Sequence, residues 1–141
     1  MAITQCIPTS FKTELASGTH NLAAAGDVIK CALYTSSATL DATTTAYTTS
    51  NEVVGTAYVA GGNTLSGQIV TSSGTTAYLD FADTTWAGST ITARGAMIYN
   101  SSKSNKVICI LDFGSDKSSS ASSFIIQFPS ADATNAIIRI S

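Results

Sequence analysis

Short runs of apolar and alternating side chains recur along this chain, separated by turn-forming residues. DVIKCALYT, for example, places Ile29, Cys31 and Leu33 on one side of an extended strand. Clusters of Gly, Ser, Asn and Asp lie between such runs and supply the turns. The pattern predicts seven strands, at 27–35, 63–71, 76–84, 90–100, 106–113, 122–129 and 135–141.

Regularly spaced short strands with turn signals are typical of antiparallel sandwiches and barrels. We therefore predict an all-β fold, an antiparallel β-sandwich or jelly-roll-like barrel of about seven to eight strands. One short N-terminal helix is expected over 10–17, because Phe11 and Leu15 are four residues apart and Gly18 follows. The length of 141 residues predicts a single domain over 1–141.

Two irregular segments carry apolar residues that a free loop would not need. Residues 1–9 are predicted to form an extended N-terminal arm, and 36–62 a long packed loop with a helical turn at 50–54. Because both segments are apolar yet irregular, we expect a partner surface to order them. The predicted partner contacts are Ile3, Cys6, Ile7, Tyr47, Val53, Val54 and Tyr58.

The stretch TTWAGSTITARGAMIYN (84–100) alternates most densely and holds the only tryptophan. Alternation predicts Ile91, Ala93, Gly95, Met97 and Tyr99 on one face, with Thr92, Arg94, Ala96 and Ile98 on the other. The residues assigned structural roles are Trp86, Arg94, Gly95 and Tyr99. Gly95 is expected to leave room for Trp86 or Phe81, and Arg94 to pair with Asp80, Asp83 or Asp112.

Charge and cysteine content narrow the classes of function. Only 11% of residues are charged and the net charge is −2, with no basic cluster, so nucleic-acid binding is not expected. No apolar run approaches a membrane span, and 1–12 lacks the pattern of a signal peptide. Cys31 and Cys109 are predicted to be buried thiols without a structural disulfide, whereas Cys6 in the arm could bond to another subunit.

Candidate chemistry is sparse. His20 is the single histidine, and no nucleophile motif accompanies it. Two acidic pairs, Asp80 with Asp83 and Asp112 with Asp116, lack the dense spacing of a calcium loop. The aromatic residues could build a sugar-binding platform, but strands place most of them in the core: Trp86, Tyr34, Tyr47, Tyr58, Tyr78 and Tyr99. We expect no enzyme activity, no cofactor, no metal and no small-molecule substrate.

Three segments together resemble small virion structural proteins of tailed bacteriophages. They are NEVVGTAYVAGG, DTTWAGSTITARGAMIYN and LDFGSDKSSSASSFIIQFP, and the resemblance spans about 27–129. It implies a non-enzymatic capsid cement or decoration protein that binds the major capsid protein lattice in many copies and stabilises the shell. It also implies self-association as a homodimer or homotrimer, synthesis in the bacterial host cytoplasm and a place on the capsid exterior. The alternatives are a tail, neck or fibre component, or a carbohydrate-binding adhesin module.

Overall fold

A computed structural model describes residues 2–141 and is mostly β, which confirms the predicted all-β class. The helix α1 spans Thr9–Ala16. Seven strands follow in the order β1 Ile29–Tyr34, β2 Asn63–Thr64, β3 Ile69–Ser73, β4 Thr76–Asp80, β5 Thr84–Asn100, β6 Lys106–Ile126 and β7 Ile138–Ile140.

The strands form two antiparallel sheets. The first has the order β2-β1-β5-β6 and the second the order β3-β4-β7. The predicted strand 63–71 is divided between the two sheets, since Gly67 (φ 61°) interrupts it. The predicted strand 76–84 ends at Asp80, and β5 begins at Thr84 rather than at residue 90.

The helix lies where the sequence places it. Pro8 precedes its first turn, and Gly18 follows its end with a φ of 73°. A positive φ is a conformation that glycine adopts without steric cost, so Gly18 can end the helix there. Phe11 is the buried residue of α1 and anchors the helix in the core.

The hairpin of β5 and β6 dominates the first sheet. The strands predicted at 106–113 and 122–129 imply a loop over 114–122 between them, and this prediction is wrong. Ile91 pairs with Ser119, Thr92 with Ser118 and Ala93 with Lys117, so this serine-rich segment is part of β6. Composition misled the prediction because serine is a turn former by preference, while here its backbone is paired with a strong neighbouring strand.

The first sheet is buried on both faces over β1, the second half of β5 and the start of β6. One face packs with Phe11 and with residues of the second sheet such as Leu79 and Ile138. The other face packs against the N-terminal arm and the long loop, through Ile3 and Leu40 among others. A sheet covered on both sides needs apolar residues at successive positions, which explains why β1 is buried at five of its six residues.

A bulge in the β5–β6 ladder changes which faces the β5 residues occupy. Ala93 pairs with Lys117 and Gly95 with Asp112, so four residues of β6 lie opposite Arg94. As a result, residues before and after the bulge exchange faces relative to strict alternation. Ile91 and Ala93 pack together with Ala96 and Ile98, whereas Met97 and Tyr99 pack on the opposite face. The predicted division into two faces is therefore wrong across this bulge.

Gly95 lies where two other segments approach the backbone of β5. A Cβ atom at this position would lie 2.5 Å from the carbonyl oxygen of Leu111 and 2.9 Å from Cδ1 of Ile3. Sequence reasoning correctly expected a close neighbour but named Trp86 or Phe81. The neighbour is Ile3, because the N-terminal arm covers this face of the sheet.

We expect Gly95→Ala to lower the free energy of unfolding by about 1–3 kcal/mol, because the added methyl group overpacks against a backbone oxygen that cannot move aside cheaply. Urea unfolding followed by circular dichroism measures this change. Ser115→Ala, an exposed change on β6, should stay within about 0.5 kcal/mol of the unmodified protein. Equal stability of the two variants would contradict this account of Gly95.

Candidate interaction surface

The long loop 36–62 is fixed to the body along its length. Its backbone makes hydrogen bonds to β1, to β5 and to the turn before β6, and it turns at Thr49–Glu52 rather than forming the predicted helical turn. Gly55 lies so close to β5 that a Cβ atom there would be 2.4 Å from the carbonyl oxygen of Thr90. The anchoring bonds are Val53 N–H to Leu33 O (2.9 Å), Thr35 N–H to Asn51 O (3.0 Å), Tyr47 N–H to Asn105 O (2.9 Å) and Thr90 N–H to Thr56 O (3.2 Å).

Glu52 is a buried carboxylate at the centre of this loop. The hydroxyl of Tyr47 donates to its Oε1 at 2.8 Å, and the hydroxyl of Tyr58 donates to its Oε2 at 3.3 Å. The backbone N–H of Gly61 lies 3.1 and 3.0 Å from the two oxygens. These donors satisfy the buried carboxylate and join both halves of the loop through one side chain.

The surrounding tyrosines remain protonated donors. Burial, with the neighbouring Glu52 carboxylate as a lesser cause, raises the pKa of Tyr99 to about 12. Burial also raises the pKa of Tyr47 and of Tyr58. Tyr99 donates to the carbonyl oxygen of Gly61 at 2.7 Å and stacks on Tyr47 with 4.7 Å between ring centroids. This network has no signature in the amino-acid pattern beyond an acidic residue that lies among several tyrosines.

The outer end of the loop, residues 54–60, exposes apolar side chains on this rigid base. Val54 is 94% exposed and Val59 is 76% exposed, and Ala57 and Ala60 of the same segment are also exposed. No charged residue occurs between Glu52 and Asp80. Ala57 has a φ of 64°, an unfavourable conformation for a residue with a Cβ atom, and the surrounding anchors hold it there. We call residues 54–60 the loop tip.

The N-terminal arm belongs to the fold. Ile3 is 8% exposed within this chain's own core, and Ile7 packs against the other core cluster. Cys6 forms an antiparallel bridge with Ile110, its N–H donating at 3.1 Å and its C=O accepting at 2.9 Å. The expectation that the arm needs a partner to become ordered is therefore wrong, because the first sheet itself orders it.

The predicted contact residues now divide into three groups. Ile3 and Val53 are buried in the core and present no surface to a partner. Cys6, Ile7, Tyr47 and Tyr58 are half-buried and chiefly hold the arm and the loop in place. Val54 is fully available. Val59, which is not among the predicted contacts, belongs to the same loop tip and is also largely exposed.

The residues assigned structural roles are all within the sheet, but Arg94, like Gly95, has a neighbour other than those predicted. Trp86 is buried between Tyr58 (5.9 Å between ring centroids) and Phe124 (6.2 Å). Arg94 does pair with a carboxylate, but it is Asp116, with Nε and Oδ1 2.8 Å apart. The predicted partners were missed because Asp116 was assigned to a loop, whereas the bulge in β6 brings it opposite Arg94.

His20 belongs to a buried polar cluster that joins α1 to the end of β5. Its side chain is fully buried, with Nε2 3.0 Å from Oε1 of Glu14 and Nδ1 2.9 Å from Nδ2 of Asn100. Asn100 also donates to Asp27 at 2.7 Å and accepts from Ser102 N–H at 3.0 Å, which fixes the orientation of its amide. Nδ1 of His20 must therefore accept a hydrogen bond while Nε2–H donates to Glu14.

The carboxylate of Asp27 is bound by other members of the same cluster. Burial alone raises the pKa of Asp27, but hydrogen bonds from Asn100, Asn21 N–H and Lys103 outweigh it and lower the pKa below its usual value. Lys103 Nζ lies 3.1 Å from Oδ1 of Asp27. With both ring nitrogens of His20 engaged and no exposed surface on its side chain, the geometry assigns this cluster to the fold.

The three cysteines are free thiols, with Cys31 and Cys109 buried as predicted. Burial raises the pKa of Cys109 to about 12, and that of Cys31 even further. Across residues 2–141, no three His, Cys, Asp or Glu side chains come together in a way that could hold a metal ion. No helix of the described chain is long and apolar enough to cross a membrane.

Five of the six candidate aromatic residues do not present a stacking platform, and the sixth, Tyr78, is half-buried on β4. Tyr34, Trp86 and Tyr99 are buried, while Tyr47 and Tyr58 are half-buried with their hydroxyls engaged at Glu52. Sugar binding by stacking needs an exposed ring face, and these five rings are packed against other parts of the chain.

No family model, curated protein or solved structure matches this chain.

We expect Glu52→Gln to lower the free energy of unfolding by about 1–3 kcal/mol, because the new amide N–H group would face donors and leave them unpaired. Urea unfolding gives the stability, and hydrogen exchange at the Gly61 amide reports the loop directly. Asp112→Asn is the matched control, since Asp112 is exposed and its amide oxygen can still accept from Gly114. Unchanged exchange at Gly61 in Glu52→Gln would contradict the anchoring role.

A second prediction concerns Asp80, which is 1% exposed and whose Oδ2 has no hydrogen-bond partner among the described residues. Burial raises the pKa of Asp80, with lesser contributions from Asp83 and Asp132. A raised pKa means that the neutral acid stabilises the fold at low pH and that this contribution is lost as the pH rises through the folded-state value. Asp80→Asn should remove this loss.

Unfolding free energies of the unmodified protein and of Asp80→Asn, measured from about pH 3 to pH 7, test this expectation. The unmodified protein should lose stability relative to the variant as the pH rises. Parallel curves for the two proteins would show that Asp80 does not titrate in the way that its burial implies.

Proposed function

We propose that this chain is a non-enzymatic virion structural protein of a tailed bacteriophage, and that it binds the major capsid protein lattice as a cement or decoration protein. The observation that carries the proposal is the loop tip 54–60, a segment without charged residues that exposes two valines and two alanines and is anchored by Glu52 and backbone hydrogen bonds. The resemblance of the sequence to small phage virion proteins supports the same assignment.

The rigidity of the loop tip favours binding. Exposed apolar side chains grouped on an ordered loop are typical of protein contact sites. Because Glu52 and the backbone bonds already order the loop, a partner need not supply the entropy cost of ordering it. A small contact of this kind suits a protein that binds a repeated lattice, where many copies act together on one shell.

The fold is compatible with this role. We infer that the two sheets pack as a β-sandwich, since Leu79 and Ile138 of the second sheet share a core cluster with Ile29 and Ile108 of the first. Such a body would be made in the host cytoplasm and attach to the capsid exterior after assembly. Its low charge keeps the contact dependent on apolar surface and backbone rather than on ion pairs.

Thermal rupture of expanded shells, followed by light scattering, tests the proposal. Added protein should raise the rupture temperature, because a ligand that binds only the assembled shell stabilises that state by mass action. Val54→Lys should reduce this effect, since binding would bury an unpaired charge. Ile125→Lys, at another exposed apolar position on β6, is the matched control and should keep the effect.

Two results would overturn the assignment to the capsid. One is an equal rupture temperature with and without saturating unmodified protein. The other is a copy number of about a dozen or fewer per virion by gel densitometry, which would favour a tail, neck or fibre component.

A further inference from the structure

The second sheet ends in an edge strand that lacks the usual protection against pairing. β3 (Ile69–Ser73) is exposed at every residue, contains no charge and no proline, and pairs with β4 without a register shift. Its first three residues, Ile69, Val70 and Thr71, are β-branched and favour extended backbone. An uncharged, regular edge of this kind is a template for another strand.

The other sheet edges are guarded. β2 is only two residues long, and β7 is three residues long and carries Arg139. β6 carries Lys117, register shifts and the positive-φ residues Gly114 and Ala121, and the arm bridges its other end at Ile110. Short length, charge and bulges each oppose strand addition. Of the four sheet edges, β3 is therefore the one that has none of these features against strand addition.

The turn between β3 and β4 determines which backbone groups point outward. Gly74 has a φ of 60° in a two-residue connection between Ser73 and Thr76. Such a turn makes its flanking pair hydrogen-bonded, and the pattern alternates along the hairpin. The N–H and C=O groups of Val70 and Ser72 therefore point away from β4, toward the open edge.

We propose that two copies of this chain pair through β3 in antiparallel register about a two-fold axis at Thr71. In this register Val70 of one copy lies opposite Ser72 of the other, and their outward groups form four hydrogen bonds. Thr71 faces Thr71 of the second copy as a non-hydrogen-bonded pair, a favourable combination across strands. The two three-stranded sheets become one continuous sheet.

The chemistry of this surface favours a second copy over a charged partner. Residues near a two-fold axis meet their own equivalents, so any charge there faces a like charge. The stretch between Glu52 and Asp80 has no charged residue and avoids this repulsion. Beside the edge lies an apolar groove of about 280 Å³, lined by Leu15, Val70, Leu79 and Ile140 among others, which the pairing would shield from water. This inference does not depend on the proposed capsid role.

Sedimentation velocity at several concentrations tests the dimer. The unmodified protein should reach twice the monomer mass of 14.5 kDa. Thr71→Lys should be monomeric because two lysines would meet at the axis, and Thr71→Glu should be monomeric for the same reason. An equimolar mixture of these two variants should dimerise again. Ser115→Lys, on the edge of the other sheet, is the matched control and should remain dimeric.

A second pair of variants separates backbone pairing from side-chain effects. Ser72→Pro removes an outward N–H that β4 does not use, so the fold should persist while the dimer is lost. Thr71→Cys should form a disulfide-linked dimer on oxidation, whereas Ser115→Cys should not. A monomeric unmodified protein that Thr71→Cys fails to cross-link, a trimer, or dimers that survive both Thr71→Lys and Ser72→Pro would each overturn the proposal.

Discussion

The burial of β1 and the second half of β5 on both faces of the first sheet is the constraint on which the rest of the structure depends. β1 and the second half of β5 expose almost no side chain, so each face must be covered by another part of the chain. The second sheet and α1 cover one face, while the arm and the loop 36–62 cover the other. Segments that look irregular in sequence are therefore part of the core, and Ile3 is buried in it together with strand residues such as Met97 and Ile110.

The irregular segments that cover the sheet create a second requirement. Their backbone and polar side-chain groups become buried, so each of these groups needs a hydrogen-bond partner. Glu52 meets this requirement by accepting from two tyrosines and the backbone of Gly61, and Asn100 meets it at the other end by joining His20 to Asp27. These networks also stiffen what they satisfy. The loop tip is consequently presented in one conformation, with its valines outward, as a by-product of how the loop covers the sheet.

Local pattern predicted the parts of the fold that local physics decides: the short helix within one residue of Thr9–Ala16, strand β1, the strand over 90–100 and the turn at Gly74. Local pattern failed where the structure is determined by pairing between residues that are distant in sequence. A bulge opposite Arg94 reversed the faces of β5 and supplied Asp116 as the ion partner, and neither effect has a signature in the spacing of a single strand. Strand pairing likewise overrode the turn preference of the serines in 114–122. Of the contact residues, Val54 could be chosen from sequence, but the exposure of Val59 and the burial of Val53 depend on how the loop is anchored.

The distribution of charge connects the two surfaces proposed for binding. The loop tip and strand β3 both lie between Glu52 and Asp80, and this stretch has no ionisable side chain other than its tyrosines. Charged side chains are usually exposed to solvent and are depleted at the centres of protein interfaces. A segment without them is therefore suited to contact other protein surfaces. One end of the stretch is fixed by Glu52 beneath the loop tip, and the other ends at the buried Asp80 beside β3. Because both bounding acids face inward, the segment between them contributes no charge of its own to the surface, and the nearby cation of Lys30 lies beside Gly61 at the edge of the loop tip. The same feature that lets two copies approach each other through β3 suits the valines of the loop tip to an apolar partner.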